Sequence, residues 1–291
     1  MQKPTLSISS KVEISAIYYA LLQCGYGFYS LEKEEQLVTK LEFYRQERIP
    51  AHLSFFSEIK QNSCEVYPYW PRAALLEETT FYMDETHTGF IDFEQLRNRI
   101  MNATNISPSE KGNEFWNWIS QFPAAINSVL TNTTFQAYFS WEKNWIAEQN
   151  QKLRSELTSL QTILQKCSEF YEDPIQDTYI LLNPIKCAYS SDYYRCKGKL
   201  YFSLGWFRPE SIVHEFLHPI IHPHVLQNKD KILQYRSYIP AIDESYRQDG
   251  SDAGRLNAAE EYFVRNLTEV VIRDTFPNDF NSYIQDMLGK I

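Results

Sequence analysis

The sequence predicts an α+β protein: a mainly helical first part, residues 1–172, packed on a second part, residues 173–291, in which a small sheet lies beside two long helices. Three observations carry that reading. Apolar residues recur at helical spacing up to Phe170. After Pro174 short β-branched and aromatic segments replace that texture, and two later segments return to helical periodicity with their own start and stop signals.

Helical spacing is evident from Glu13 to Leu22, from Leu31 to Arg45 and in the segments carrying Trp116, Trp118, Trp141 and Trp145. The clearest stripe is Leu153, Leu157, Leu160, Leu164, Cys167 and Phe170, which ends before Pro174. Thr178–Leu182 and Lys199–Leu204 read as strands separated by a polar stretch with Asn183, Pro184 and Gly198. The second of these is a candidate edge strand that would hold an extended peptide by backbone pairing. Gly205 and Pro209 introduce a helix, Pro being suited to a first helical turn. A loop rich in Pro, Asp, Gly and Ser then runs to Gly250. A final helix starts with Ser251 or Asp252 as N-cap, continues to about Phe276 and stops at Pro277.

Apolar residues make up 43% of the chain and aromatic residues 15%, enough for a sizeable core. The net charge of -9 is spread along the sequence, which makes nucleic acid and anionic membranes poor partners. There is neither an uninterrupted apolar run of transmembrane length nor a secretion signal. Five cysteines without a CxxC pair read as free thiols in a reducing compartment, with Cys187 and Cys196 near enough in sequence to pair across a hairpin. The expectation is a soluble, cytoplasmic protein. The stretch DETHTGFIDFEQ from Asp84 has the Gly89 and Ile91 of a calcium loop, but Thr86, Thr88 and Gln95 stand where acidic ligands are needed. It reads as a polar turn between helices.

Chemistry concentrates in SIVHEFLHPIIHPH. Four of the six histidines fall between residues 214 and 224. A helix places His214 and His218, four residues apart, on one face, where both imidazoles reach one cation. Glu215 between them is placed to take a proton from the attacking water rather than to bind the ion. Zn2+ is the cofactor this pattern calls for. Pro219 disfavours helical geometry at His218 and lacks an N–H, so the helix is expected to kink or end there. His222 continues the four-residue series, but eight helical residues span about 12 Å, too far for His214 and His222 to share one ion. His222 and His224 therefore read as outer or surface residues.

A catalytic zinc needs a third protein ligand. The last helix, NAAEEYFVRNLTEVVIRD, offers Glu260 and Glu261. Glu260 lines up with Leu256, Phe263, Leu267 and Val271, whereas Glu261 lies at the edge of that stripe with Asn257, Arg265 and Thr268. Periodicity alone leaves both open, since a ligand carboxylate can be buried against its metal.

HExxH followed by a glutamate on a later helix resembles the gluzincin metallopeptidases. The details are more similar to a little-characterised set of bacterial zincin-like proteins of unassigned function, whose pattern is HEFxHPF-x-NP followed by N-E-x-x-V-R-A. Here HEFLHPIIHP and EEYFVRN match it. The resemblance implies that Glu261 is the third metal ligand, with Val264 and Arg265 as its companions, and that Pro219 belongs to the pattern. Ile220, His222, Glu260 and Asn266 depart from it, and none of them removes an implied ligand. SSKVEISAIYYALL is also similar to the opening helix of that set.

The resulting expectation is a zincin-like core in residues 173–291 that hydrolyses a peptide or protein substrate. Zinc is held by His214, His218 and Glu261, and Glu215 acts as general base. Two other readings are a catalytically silent zincin-like module that binds a protein partner, and a zinc hydrolase of non-peptide amides or esters. The sequence leaves oligomeric state and cleavage specificity open.

Overall fold

A computed structural model describes residues 6–26, 33–46, 53–57, 59, 73–102, 112–170, 177–234, 252–273 and 279–289. The protein is mostly helical with one small mixed sheet, an α+β architecture. Its chain divides into two compact units, one formed by Leu6–Arg154 with Thr178–Phe207, the other by Ser155–Asp177 with Arg208–Ile291 and the first five residues. This division differs from a single boundary after residue 172, because the strands return to the helices that precede them.

In the first unit, strand β1 (Ile8–Ser9) leads into helix α1 (Val12–Gln23), followed by α2 (Glu35–Gln46), α3 (Leu53–Ser57) and α4 (Ala73–Thr79). Then come α5 (Phe93–Asn102), α6 (Asn113–Ile119), α7 (Phe122–Leu130) and α8 (Thr133–Lys152). Every residue of α1 from Ile14 to Leu22 is buried, which is the signature of a helix packed all round. It lies against α2, α3, α4, α7 and α8, and Tyr19 meets Tyr44, Phe135 and Tyr138 in tilted and edge-on ring contacts.

The sheet has the order β1-β2-β4-β3, with β2 at Asp177–Leu182, β3 at Ser191–Cys196 and β4 at Lys199–Leu204. Lys197 (φ 49°) and Gly198 (φ 74°) both take positive φ between β3 and β4, as a two-residue hairpin turn of the right twist requires. β1 pairs in parallel with β2, Ile8 opposite Ile180. The Asn150 side chain of α8 also bonds Ile8, accepting from its N–H at 2.9 Å and donating to its carbonyl at 2.7 Å. That amide occupies backbone groups that a bare edge strand would expose. The sequence did not announce β1 or β3. β4 lies between β2 and β3 and is not an edge strand, so the proposed peptide-pairing role of Lys199–Leu204 is withdrawn.

A charged network is buried in this unit. Lys186, with no exposed side-chain surface, donates to Glu77 at 2.8 Å, Asp192 at 2.6 Å and Ser203 at 3.1 Å. Burial opposes charge on Lys186, but the two carboxylates outweigh it and hold its pKa above the ordinary value. Lys33 donates to the carbonyls of Lys186 and Gly205 at 3.0 and 3.1 Å, and burial lowers its pKa to about 7. Gly205 must be glycine, since a Cβ there would lie 1.9 Å from the Cys187 carbonyl oxygen.

Glu142 of α8 is buried and accepts from Ser15 Oγ at 2.8 Å. Burial pushes its carboxyl up to about 8 against that hydrogen bond. The folded state therefore holds this proton more tightly than the unfolded chain. Its stabilising effect is complete below the ordinary value of 4.5 and fades as pH rises toward about 8. Denaturant titrations at about pH 5 and about pH 8.5 should show wild type losing more stability than Glu142→Gln, and parallel losses would contradict a raised pKa.

One expectation about cysteine fails: Cys187 is disulfide-bonded rather than a free thiol. Cys196 is free, so the two do not pair across the hairpin. Cysteine usage thus no longer argues for a reducing compartment. No described helix is long and apolar enough to cross a membrane. The Asp84 segment is a turn before α5. The Asp84 carboxylate accepts from the N–H groups of Thr86 and Thr88 at 3.0 and 3.1 Å and from Thr86 Oγ1 at 2.7 Å, so its oxygens are engaged locally.

The second unit contains α9 (Arg154–Phe170, from Ser155 onward), α10 (Pro209–Gln227), α11 (Lys229–Gln234), α12 (Asp252–Ile272) and α13 (Phe280–Leu288). Leu157, Leu160, Leu164 and Cys167 of α9 are buried as their spacing predicts. α10 and α12 share the largest interface of this unit. They contribute Ile212, Val213, Phe216, Leu217, Ile220 and Ile221 on one side and Ala259, Phe263, Val264, Leu267 and Val271 on the other, all buried. Tyr283 of α13 donates to the Phe263 carbonyl at 2.9 Å.

Of the two outcomes expected at Pro219, a kink or an end, the end does not occur. α10 passes through Pro219 and Pro223 to Gln227. Each proline removes one helical N–H at a cost of roughly 3 kcal/mol, and burial of the apolar α10 face opposes that loss. α12 ends at Ile272 rather than near Phe276, α11 and α13 were not anticipated, and the loop predicted up to Gly250 lies largely outside the described residues.

Candidate metal centre

The apolar stripes that pack α10 onto α12 also fix which side chains converge between them. Ile212, Val213, Phe216 and Leu217 turn one side of α10 into the core, leaving His214, Glu215 and His218 half-buried beside it. On α12, Ala259 and Phe263 anchor the turn that carries Glu260 and Glu261.

His214 Nε2 and His218 Nε2 stand 3.1 Å apart, and the Glu261 carboxylate lies 3.4 Å from each of them, through Oε2 and Oε1 respectively. Donors about 2.0–2.1 Å from a tetrahedral ion are separated by about 3.3–3.4 Å. The three groups already approach that spacing, and they form the one group of metal-ligand type found among the described residues. The donor set, two imidazoles and a carboxylate, suits zinc and leaves a fourth position for water or substrate.

Periodicity left Glu260 and Glu261 open as the third ligand, and the geometry separates their roles. Glu261 meets the Nε2 side of both histidines. Glu260 lies behind His218, with Oε1 2.9 Å from Nδ1, and its other oxygen is 2.7 Å from His222 Nδ1. His222 therefore stays outside the donor cluster, as helical rise requires, but is joined to it through a carboxylate. Arg265, one turn after Glu261, approaches its Oε2 at 3.6 Å. His224 is half-buried on α10.

The electrostatics favour positive charge here. Burial disfavours the charged form of His218, but hydrogen bonds to Glu260 and Glu261 and the nearby Glu215 and Glu261 charges lift its pKa to about 10. Burial likewise works against ionised Glu261, yet His214 and His218 hold its carboxyl well below the usual range. Glu260 is also held low, against burial, by His218 and His222. Three carboxylates around the two imidazoles form a field that a divalent cation would neutralise.

The structure brings His214, His218 and Glu261 together, three of the residues the sequence reading named, with Glu215 beside them on α10; the sequence reading missed the bridging position of Glu260. Its signal was available: an acidic residue inside a buried helical stripe needs partners, and His218 and His222 are the histidines one turn apart that supply them. Comparisons with protein-family models, curated proteins and solved structures return no match, so the functional reading rests on this geometry.

Proposed function

We propose that the chain is a zinc-dependent hydrolase, a peptidase of gluzincin type, with His214, His218 and Glu261 as ligands and Glu215 as general base. The observation that supports it most directly is the 3.1–3.4 Å separation of the three ligand groups. Bound zinc would polarise the scissile carbonyl and lower the pKa of its water to about 7. Glu215, adjacent to His214 on α10, accepts the proton of the attacking water and returns it to the leaving amine. Glu261 would offset the cation's charge, and Arg265 lies 3.6 Å from that carboxylate, one turn away.

Metal analysis of untagged protein, dialysed after zinc supplementation, should find about one equivalent of zinc. Glu261→Ala should lower that occupancy more than Glu260→Ala, because it removes a ligand rather than a neighbour of one. Less than about half an equivalent in the wild type would sink the proposal, and the reverse order of the variants would reassign the third ligand. A peptide-library screen with a chelator control tests the substrate class. Zinc binding without cleavage there favours a protein-binding module.

A further inference from the structure

Beyond its apparent ligands, this unit contains a second acidic residue that is almost fully buried. Glu260 is 9% exposed, and both its oxygens are committed to imidazole nitrogens, 2.9 Å from His218 Nδ1 and 2.7 Å from His222 Nδ1. The consequence at His218 concerns which nitrogen carries hydrogen. A carboxylate can only accept, so His218 Nδ1 must present its N–H to Glu260. A neutral ring with hydrogen on Nδ1 has its lone pair on Nε2, the atom that faces His214 Nε2 and Glu261. With hydrogen on Nε2 instead, the ring would turn a donor toward the metal position. Glu260 in turn has its second oxygen fixed by His222, one helical turn beyond His218 on α10, so the carboxylate is held at both ends by one helix.

We propose that Glu260 is a positioning residue for the metal centre, clamped by His222, that fixes His218 in the form whose Nε2 can bind the ion. The inference rests on the proposed zinc site and adds to it a relay from His222 through Glu260 to His218. Both outer members act through His218 and neither touches the ion. Carboxylates that orient a ligand histidine are worth about 10- to 100-fold in metal affinity. His222 acts one bond further out, so its loss should cost less.

The test is zinc affinity by competition with a chromophoric chelator, together with the visible spectrum of the cobalt(II)-substituted protein. Glu260→Ala should weaken zinc by about 10- to 100-fold, and His222→Ala by about threefold. Glu260→Gln, which still accepts from His218 Nδ1, should recover much of the loss. The cobalt bands should keep wild-type position and intensity in all three, because the ligands are unchanged, while Glu261→Gln alters them. Thermal unfolding of the metal-free variants identifies any that fail to fold, and His222→Ala and Glu260→Gln then carry the comparison. Wild-type affinity in Glu260→Ala, or a cobalt spectrum altered as in Glu261→Gln, would overturn the positioning role while leaving the zinc site standing. A wild-type protein that binds neither metal would overturn both.

Discussion

Protein carrying Glu215→Gln is expected to hold zinc as the wild type does and to lose turnover by about 100- to 10,000-fold, the range general base catalysis contributes. The substitution keeps size and shape and removes the negative charge and with it the ability to accept a proton. His214, His218 and Glu261 are untouched, so metal content separates loss of chemistry from loss of the site. Glu215 also adds to the negative field at His218, and neutralising it slightly weakens that field without altering a ligand. The measurement is zinc stoichiometry and cleavage of whichever peptide the library identifies, on the same preparation. Retained cleavage would remove Glu215 from the reaction, and lost zinc would make it part of the metal's hold.

The second large effect concerns stability. Lys186→Met should destabilise the protein by about 3–5 kcal/mol, the cost of removing one partner from a buried ion pair. Glu77 has no exposed surface, and without the ammonium its charge is left facing the neutral hydroxyls of Tyr18 and Tyr194. Asp192, 22% exposed, retains some access to water, so most of the penalty falls on Glu77. Adding Glu77→Gln to Lys186→Met should restore part of the loss, because the uncompensated charge is then gone. Denaturant unfolding of the single and double variants checks this. A single variant within about 1 kcal/mol of wild type would contradict the network's role.

The contrast between these two sites explains what the sequence disclosed. His214, Glu215 and His218 are legible because their relation is local: four residues on a helix determine a shared face without knowledge of the fold. Glu261 is partly legible, since an acidic pair interrupting an apolar stripe signals a partner but does not identify it. Lys186 and Glu77 are 109 residues apart and reveal nothing of their pairing, because neither lies in a distinctive pattern. β1 is invisible for a similar reason: two residues have no period, and Ile8 is a strand only because Ile180 and Asn150 meet it. Pro219 left an end of the helix open as one outcome because local backbone preference takes no account of the tertiary burial of Phe216, Leu217, Ile220 and Ile221 around it.

The parallel pairing of Ile8 with Ile180 has a consequence for the order in which the protein is made. A ribosome releases the chain from its N-terminus, so β1 emerges early while the strand it must pair with is still untranslated. Asn150 of α8 can engage Ile8 before β2 emerges, but the sheet closes only when synthesis has passed Leu204. Until residue 186 has emerged, α1 and the helices around it must persist without Lys186 opposite Glu77. The first unit therefore has to finish folding after part of the second, α9, has already been synthesised, and the nascent chain depends on contacts of long sequence separation that form slowly.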